Sequence, residues 1–438
     1  MANIKISDLT AAAAASGTQE FEVNDSLTSK KVTGAQILAY TKANTTPADI
    51  GALANTTGSV STSNLANNAV TTIKINDGAI TPSKMANGGA ELGFRNRIIN
   101  GDMRIDQRNA GASVTFDGSA TKFPVDRFGG FEDTDGEMTG QQNSSAPTGF
   151  TSSVKLTTTT ADASLGATQR VIFRQLIEGQ NVSDLAWGTA SAATVTISFW
   201  VRSSLTGTHG GAVTNSAQDR SYPFTYSISV ADTWEYKTIT VAGDTSGTWL
   251  TTNGIGIRLI FGMGVGSTYS GTAGAWAGTR YESATGAVSV IGTLNATWYI
   301  TGVQLEAGTV ASPFERRDYG RELMMCQRYL PSYTAYASGE HIAVGQNIST
   351  TQGYVVFPLN VTPRVPPTGV TVSSAGHFYM MGAAGGNNQC SALAFQNGSY
   401  ISASLLASVG SALQAAGNGL ILQTYSTSAK LLFTGCEL

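Results

Sequence analysis

The sequence predicts a mainly β, multi-domain, elongated homotrimer. Its parts are a small α+β N-terminal unit, a repeat stalk, a large jelly-roll-like β-sandwich, a short helix and a C-terminal β domain at the tip. Three observations carry this. A chain of 438 residues exceeds what a single hydrophobic core usually organises. The stretch from Ser61 to Gly89 repeats every ten residues. From Phe94 onward, short alternating apolar runs succeed one another with turn residues between them, the signature of a sandwich or jelly roll.

Residues 1–50 contain EFEV, a turn around Asn24 and Asp25, and KKVT, which together read as a hairpin. Thr33 is placed to cap a helix over GAQILAYTKA, and Thr46-Pro47-Ala48-Asp49 sets up a second capped start. Residues 51–93 form the stalk. Stacked in tens, Leu65, Ile75 and Met85 share a column, as do Asn67, Asp77 and Asn87, and Val70 falls above Ile80. An apolar residue at every fifth position fits neither a strand nor a helix. Three parallel copies around a shared axis would give those residues a core, while a flexible polar linker with a fortuitous repeat is the alternative. Residues 94–318 read as the sandwich and 319–330 as a helix with Tyr319, Leu323, Cys326 and Leu330 on one side, ended by Pro331. Residues 331–438 carry further β runs up to LLFTGCEL.

Composition narrows the function. The net charge is −3 and basic residues never cluster beyond pairs, so nucleic acid is not an expected partner. No run of 18 apolar residues occurs and the first residues lack a signal-peptide pattern, so no membrane insertion is expected. Cys326, Cys390 and Cys436 are widely spaced and odd in number, which fits buried thiols made in a reducing cytosol. His209, His341 and His377 are isolated, with no metal-binding or nucleotide-binding motif around them. GIGIRLIFGMGVG reads as a glycine-rich β edge, because its glycines do not complete a dinucleotide fingerprint.

Several segments resemble bacteriophage tail proteins. ISDLTAAAAASGTQEFEV and KKVTGAQILA are similar to N-terminal attachment segments of tail fibres and tailspikes, and NNAVTTIKINDGAITPSKM to decamer stalk repeats of such fibres. FRNRIINGDMRIDQRNAG, FPVDRF, ISFWVRS and TWYITGVQLEAGTVASPFERRDYGRELMMCQRYL resemble the carbohydrate-binding-like module of phage tail proteins, cyanophage ones included. The resemblance implies a homotrimeric fibre in the virion tail, made in the host cytoplasm. It would be anchored to a tail adaptor or nozzle protein through residues 1–50 and touch host surface polysaccharide or lipopolysaccharide with its distal modules. A glycan-cleaving tailspike and a purely structural head or neck appendage remain alternatives. No enzyme activity and no cofactor is expected. Related carbohydrate-binding modules often hold a structural Ca²⁺ where Asp102 of NGDM and Glu306 of VQLE fall in this sequence.

All six tryptophans fall inside the sandwich. Flat rings stack on the apolar faces of sugars, so exposed tryptophans beside polar residues are candidates for a glycan site. In TVTISFWVRSS, alternation sends Ile197, Phe199 and Val201 one way and Ser198, Trp200 and Arg202 the other. Trp276 sits among glycines in GTAGAWAGTRY, where a loop could present it with Arg280 and Tyr281. Packing in the sandwich or against another subunit is the competing reading for each of these residues. The acidic run FEDTDGE reads as a solvated turn, since one loop rarely supplies two carboxylates on opposite sides of a bond.

Overall fold

The computed structural model describes residues 20–25, 28–33, 35, 36, 38, 39, 94–382, 387–412 and 415–438. They belong to two units, Met1–Ile80 and Thr81–Leu438. In the first, β1 (Glu20–Asp25) pairs antiparallel with β2 (Thr28–Thr33). Asn24 and Asp25, expected at the turn, are paired strand residues opposite Ser29 and Thr28. Thr33 does form the expected helix cap. Its Oγ1 accepts from Gln36 N at 3.2 Å while Gln36 Oε1 accepts from Thr33 N at 2.9 Å, a reciprocal capping box. The second capped start at Thr46 and the decamer stalk lie outside the described residues.

The second unit begins with a β-sandwich. Sheet I runs in the order β11 (Ser221–Ile228), β10 (Gly207–Thr214), β13 (Ile255–Val265), β8 (Arg170–Glu178), β5 (Phe128–Glu132), β4 (Lys122–Val125). Sheet II runs β12 (Glu235–Val241), β9 (Val195–Ser203), β16 (Thr297–Ala307), β7 (Ser153–Thr160), β6 (Glu137–Asn143), β3 (Val114–Thr115). Between them lies a core of alternating side chains, with Trp298, Phe173, Phe199 and Phe261 fully buried. Trp298 meets Phe173 edge-on at 6.1 Å and donates its indole N–H to Tyr226 Oη at 3.1 Å, so even this polar handle is satisfied.

The glycine-rich run is not at an edge. β13 is a central strand, flanked by β10 and β8. Its glycines let a returning segment press on the sheet: a Cβ at Gly262 would sit 2.8 Å from Ser283 Oγ, and one at Gly264 2.4 Å from Ile291. That segment contains β15 (Ser283–Ala284), which pairs parallel with β14 (Ser270–Gly271). Alternation alone cannot tell an edge strand from a central one, and the glycine signal came from close approach.

Helix α1 (Tyr319–Gln327) starts at Asp318, whose carboxylate accepts from Arg321 N at 2.8 Å. Its buried side keeps most of the apolar stripe expected, since Cys326 and Leu330 are buried and Leu323 packs in the Cys326 cluster. Tyr319 departs from it, being exposed, and Glu322 and Tyr329 are buried in addition. A charged residue can face inward because partners meet it: Glu322 accepts from Asn100 N and lies 3.4 Å from Arg317 Nη1. Arg317 also donates to Ile98 O and Asn96 O. The NGDM and FERR segments are thus staples that close the sandwich and seat the helix.

Residues after α1 form a closed six-stranded barrel, β18 (His341–Asn347), β19 (Gln352–Pro358), β23 (Ser402–Val409), β22 (Asn387–Gly398), β21 (Phe378–Gly382), β24 (Gly419–Thr424). Beside it lies a three-stranded sheet, β17 (Ser332–Thr334), β25 (Lys430–Thr434), β20 (Gly369–Val372). Phe378, Met380, Leu405 and Leu422 fill the barrel. Charged groups tie the segments that flank the barrel to the sandwich. Arg328 grips Glu178 through Nε at 2.9 Å and Nη2 at 2.6 Å, Tyr329 Oη joins it at 2.6 Å, and Arg108 reaches Glu437 at 2.9 Å. No helix among the described residues is long and apolar enough to cross a membrane.

Candidate functional site

Sheet II carries the site on its outer face. Ile197, Phe199 and Val201 point into the core, so Ser198, Trp200 and Arg202 stand on the opposite side, as the alternation of TVTISFWVRSS requires. Register then places Tyr236 of β12 directly across from Trp200, and their ring centroids are 5.4 Å apart with planes tilted by 50°. On the other flank β16 has an irregularity between Thr301 and Gln304. Within it Gly302 adopts φ 63°, and a Cβ there would fall 2.7 Å from the Phe150 ring and 3.2 Å from Trp200. Only a residue without a side chain lets those two rings approach the strand.

Two loops complete the wall. Phe150 meets Phe314 edge-on at 5.3 Å, and the exposed Arg316 guanidinium lies 4.8 Å from the Phe150 centroid while donating to Gly149 O at 2.5 Å. Phe150, Ser198, Trp200, Tyr236, Gly302, Pro313, Phe314 and Arg316 enclose a cleft of about 470 Å³. It is an apolar floor with one cation at the rim, and Arg316 has no carboxylate within 4.0 Å among the described residues. Such a surface suits a flat, hydroxylated ligand, whose apolar face stacks on rings while its hydroxyls meet a guanidinium. Tyr236 is 43% exposed, so the cleft opens to solvent. Sequence reasoning found Trp200 but missed Tyr236, Phe150, Phe314 and Arg316. Tyr236 was readable from the phase of EYKTITV; the others come from loops.

Arg202 shares the face and is occupied by the protein. Its guanidinium lies 4.9 Å from the Tyr299 centroid and donates to Ser145 Oγ at 3.2 Å and Asp232 Oδ1 at 3.3 Å. It does not line the cleft.

Trp276 is not displayed by its glycine-rich loop. It is half-buried, donates its indole N–H to Ala242 O at 2.7 Å, and meets Trp187 and Trp249 edge-on at 5.5 Å each. Trp187 and Trp249 are 4.7 Å apart, so three tryptophans from distant segments pack as one cluster, with Tyr222 against it at 5.3 Å. The indole is held by this cluster and not by its flanking glycines: a Cβ at Gly274 would meet open space, one at Gly278 would come no nearer than 3.9 Å to Arg220, and Gly271 lies against the Tyr281 ring. Arg280 lies apart from the sheet II cleft, bonded to the buried Glu282 at 2.6 Å. Tyr281 is half-buried with its ring against Gly271.

The carboxylates have protein partners. Asp102 pairs with Arg104, and Glu306 accepts from Ser312 N at 2.8 Å, Ser312 Oγ at 2.6 Å and Gln304 Nε2 at 2.8 Å. No group of three or more His, Cys, Asp or Glu able to hold a metal ion occurs among the described residues. The FEDTDGE turn is less solvated than expected: Glu132 is buried, accepting from Met138 N at 2.7 Å and Thr134 Oγ1 at 2.8 Å, and burial raises its carboxyl above the ordinary range. All three cysteines are buried free thiols.

Among solved structures, the chain is similar to the enzymatically active domain of tailspike protein 4 from Bacteriophage CBA120, at 11% identity over 49% of this chain and TM-score 0.26. That match spans 21% of the tailspike chain. It is also similar to a family 11 carbohydrate-binding module from Clostridium thermocellum solved with a β-1,3-1,4-mixed-linked tetrasaccharide, at 12% identity, 47% of this chain, all of that chain (100%) and TM-score 0.22. A third is a xylan-binding domain from Paenibacillus barcinonensis, at 10% identity, 47% of this chain, 99% of that chain and TM-score 0.22. No protein-family model matches the chain, and no curated protein matches it. The functional reading rests on the cleft itself.

Proposed function

We propose that the chain is a phage tail fibre that binds a host surface polysaccharide or lipopolysaccharide through the sheet II cleft and leaves it uncleaved. The observation that carries the reading is the open floor of Trp200, Tyr236, Phe150 and Phe314 with Arg316 at its rim. The lining contains no Asp or Glu, which favours binding over hydrolysis, since glycosidases work with a pair of carboxylates about the scissile bond. The fibre assignment draws on the sequence resemblance of residues 1–93 and of the NGDM and FERR segments to phage tail proteins. In this reading the homotrimer forms along the decamer stalk, and residues 1–50 engage the tail adaptor or nozzle protein.

Incubation with host polysaccharide tests it. Retention of the polymer without new reducing ends, together with adsorption of the purified protein to host cells, is the expected result. New reducing ends would establish a depolymerising tailspike. Absence of both retention and adsorption would leave a structural appendage.

A further inference from the structure

The outer face of sheet I holds a second cluster of chemistry. Arg174 on β8 stands opposite Ile260 of β13, and Arg258 of β13 opposite Leu176 of β8, so the two arginines are diagonal neighbours, roughly 7–8 Å apart at the backbone. Arg170 and Arg280 border them, both flanking the Tyr269 ring, at 4.7 and 4.6 Å from its centroid. Four guanidinium groups therefore share one sheet face. Their carboxylates are already engaged: Glu282 binds Arg280 at 2.6 Å and Arg170 at 2.9 Å, and Asp133 binds Arg170 at 3.0 Å.

Arg174 and Arg258 are left with neutral partners. Arg174 donates to Thr121 Oγ1 at 3.0 Å and Arg258 to Ser216 O at 3.1 Å, and neither has a carboxylate within 4.0 Å among the described residues. Both Nε atoms are buried without a protein acceptor. Each guanidinium carries five donors, so several from each side chain remain to be met. The crowding is energetic as well as geometric. Burial, followed by the neighbouring Arg174 and Arg280 charges, pulls Arg258 down to about 10; burial also lowers Arg174, with Arg170 and Arg280 adding to it, and in both cases the attraction of the Glu282 carboxylate offsets only part of the fall. Two half-buried cations beside like charges cost stability unless an anion joins them.

We infer that this face is a second ligand subsite, in which Arg174 and Arg258 take the acidic group of a sugar, a carboxylate or a sulfate or phosphate ester. The fork of a guanidinium matches the paired oxygens of such groups. The sugar part rests on the glycan-binding reading above; the anion part rests on sheet I alone and does not involve the Trp200 cleft.

The test uses the full chain with trigalacturonate, its methyl ester, a sulfated trisaccharide and inorganic phosphate, against wild type and the Arg174→Gln, Arg258→Gln and double variants. Binding is read by calorimetry and the melting temperature by thermal shift. The expected result is that at least one acidic sugar binds about tenfold more tightly than the neutral ester, and that each Gln variant removes that preference while leaving the ester unaffected. The unliganded variants should melt no lower than wild type, since removing a cation relieves the crowding. The proposal is overturned if no acidic sugar is preferred to the ester and phosphate stabilises wild type no more than the double variant, if the double variant keeps the preference, or if the variants melt several degrees lower and no anion stabilises wild type more than the double variant. Stabilisation by phosphate through Arg174 and Arg258 with no response to any sugar would keep the anion site and reject its sugar assignment.

Discussion

Trp200 of β9 and Tyr236 of β12 are register partners on the outer face of sheet II, with ring centroids 5.4 Å apart. Neither ring is needed to fill the core, which is completed by Phe199 and Val201 on the other side of the same strand. Trp200→Ala and Tyr236→Ala should therefore each weaken glycan binding by about tenfold or more, roughly 1.4 kcal/mol, while the fold melts within a few degrees of wild type. Calorimetry with host oligosaccharide and a melting curve on the same sample check both halves.

Gly302 should be the least tolerant position of the cleft. Gly302→Ala places a methyl against the Phe150 ring and Trp200, where the floor must open to receive it. Affinity should fall although no contact residue has been removed, and stability should fall modestly, by about 1 kcal/mol for the left-handed backbone, read as a lower melting temperature. A variant that binds as wild type would show that Phe150 and Trp200 move freely.

Trp276→Ala should behave oppositely to Trp200→Ala. Loss of an indole that packs on two others and satisfies Ala242 O costs about 2–4 kcal/mol, scaled from large-to-small core substitutions, with adsorption per folded molecule unchanged. A melting curve and a cell-adsorption assay on the soluble fraction separate the two effects.

This contrast marks what the sequence made legible. Period-2 alternation put Trp200 and Arg202 on the outer face because it is a local property of nine residues of β9. It could not say that Arg202 would be taken by Tyr299 and Asp232, nor that Trp276 would meet Trp187 and Trp249, because those partners are distant in the chain. Glycines around Trp276 looked like a flexible display, yet the indole is held by its distant partners although a Cβ at Gly274 would meet open space. The apolar stripe of α1 was legible at Leu323, Cys326 and Leu330 but not at the exposed Tyr319, and the burial of Glu322 by Arg317 and Asn100 is a network invisible to hydrophobic periodicity.

The grip of Arg328 on Glu178 gives a pH signature. Burial raises the Glu178 carboxyl, but the Arg328 and Tyr329 hydrogen bonds together with the Arg328 charge outweigh it and hold the group below its ordinary range. A depressed folded value stabilises the fold above the unfolded value, about 4.3, and that stabilisation is lost as pH falls through the folded value. Glu178→Gln should melt below wild type at pH 7, and the gap should narrow as the pH drops below about 4. Arg328→Met, which strands a buried carboxylate, should cost about 3–5 kcal/mol at pH 7.

The central claim is that the aromatic cleft on sheet II binds host glycan. Affinity electrophoresis of the intact protein through a gel containing the host surface polysaccharide tests it most directly, with wild type run beside the Trp200→Ala/Tyr236→Ala double variant. The account predicts that wild type is retarded in proportion to polymer concentration and that the folded double variant migrates freely. Equal retardation of the two proteins would contradict it.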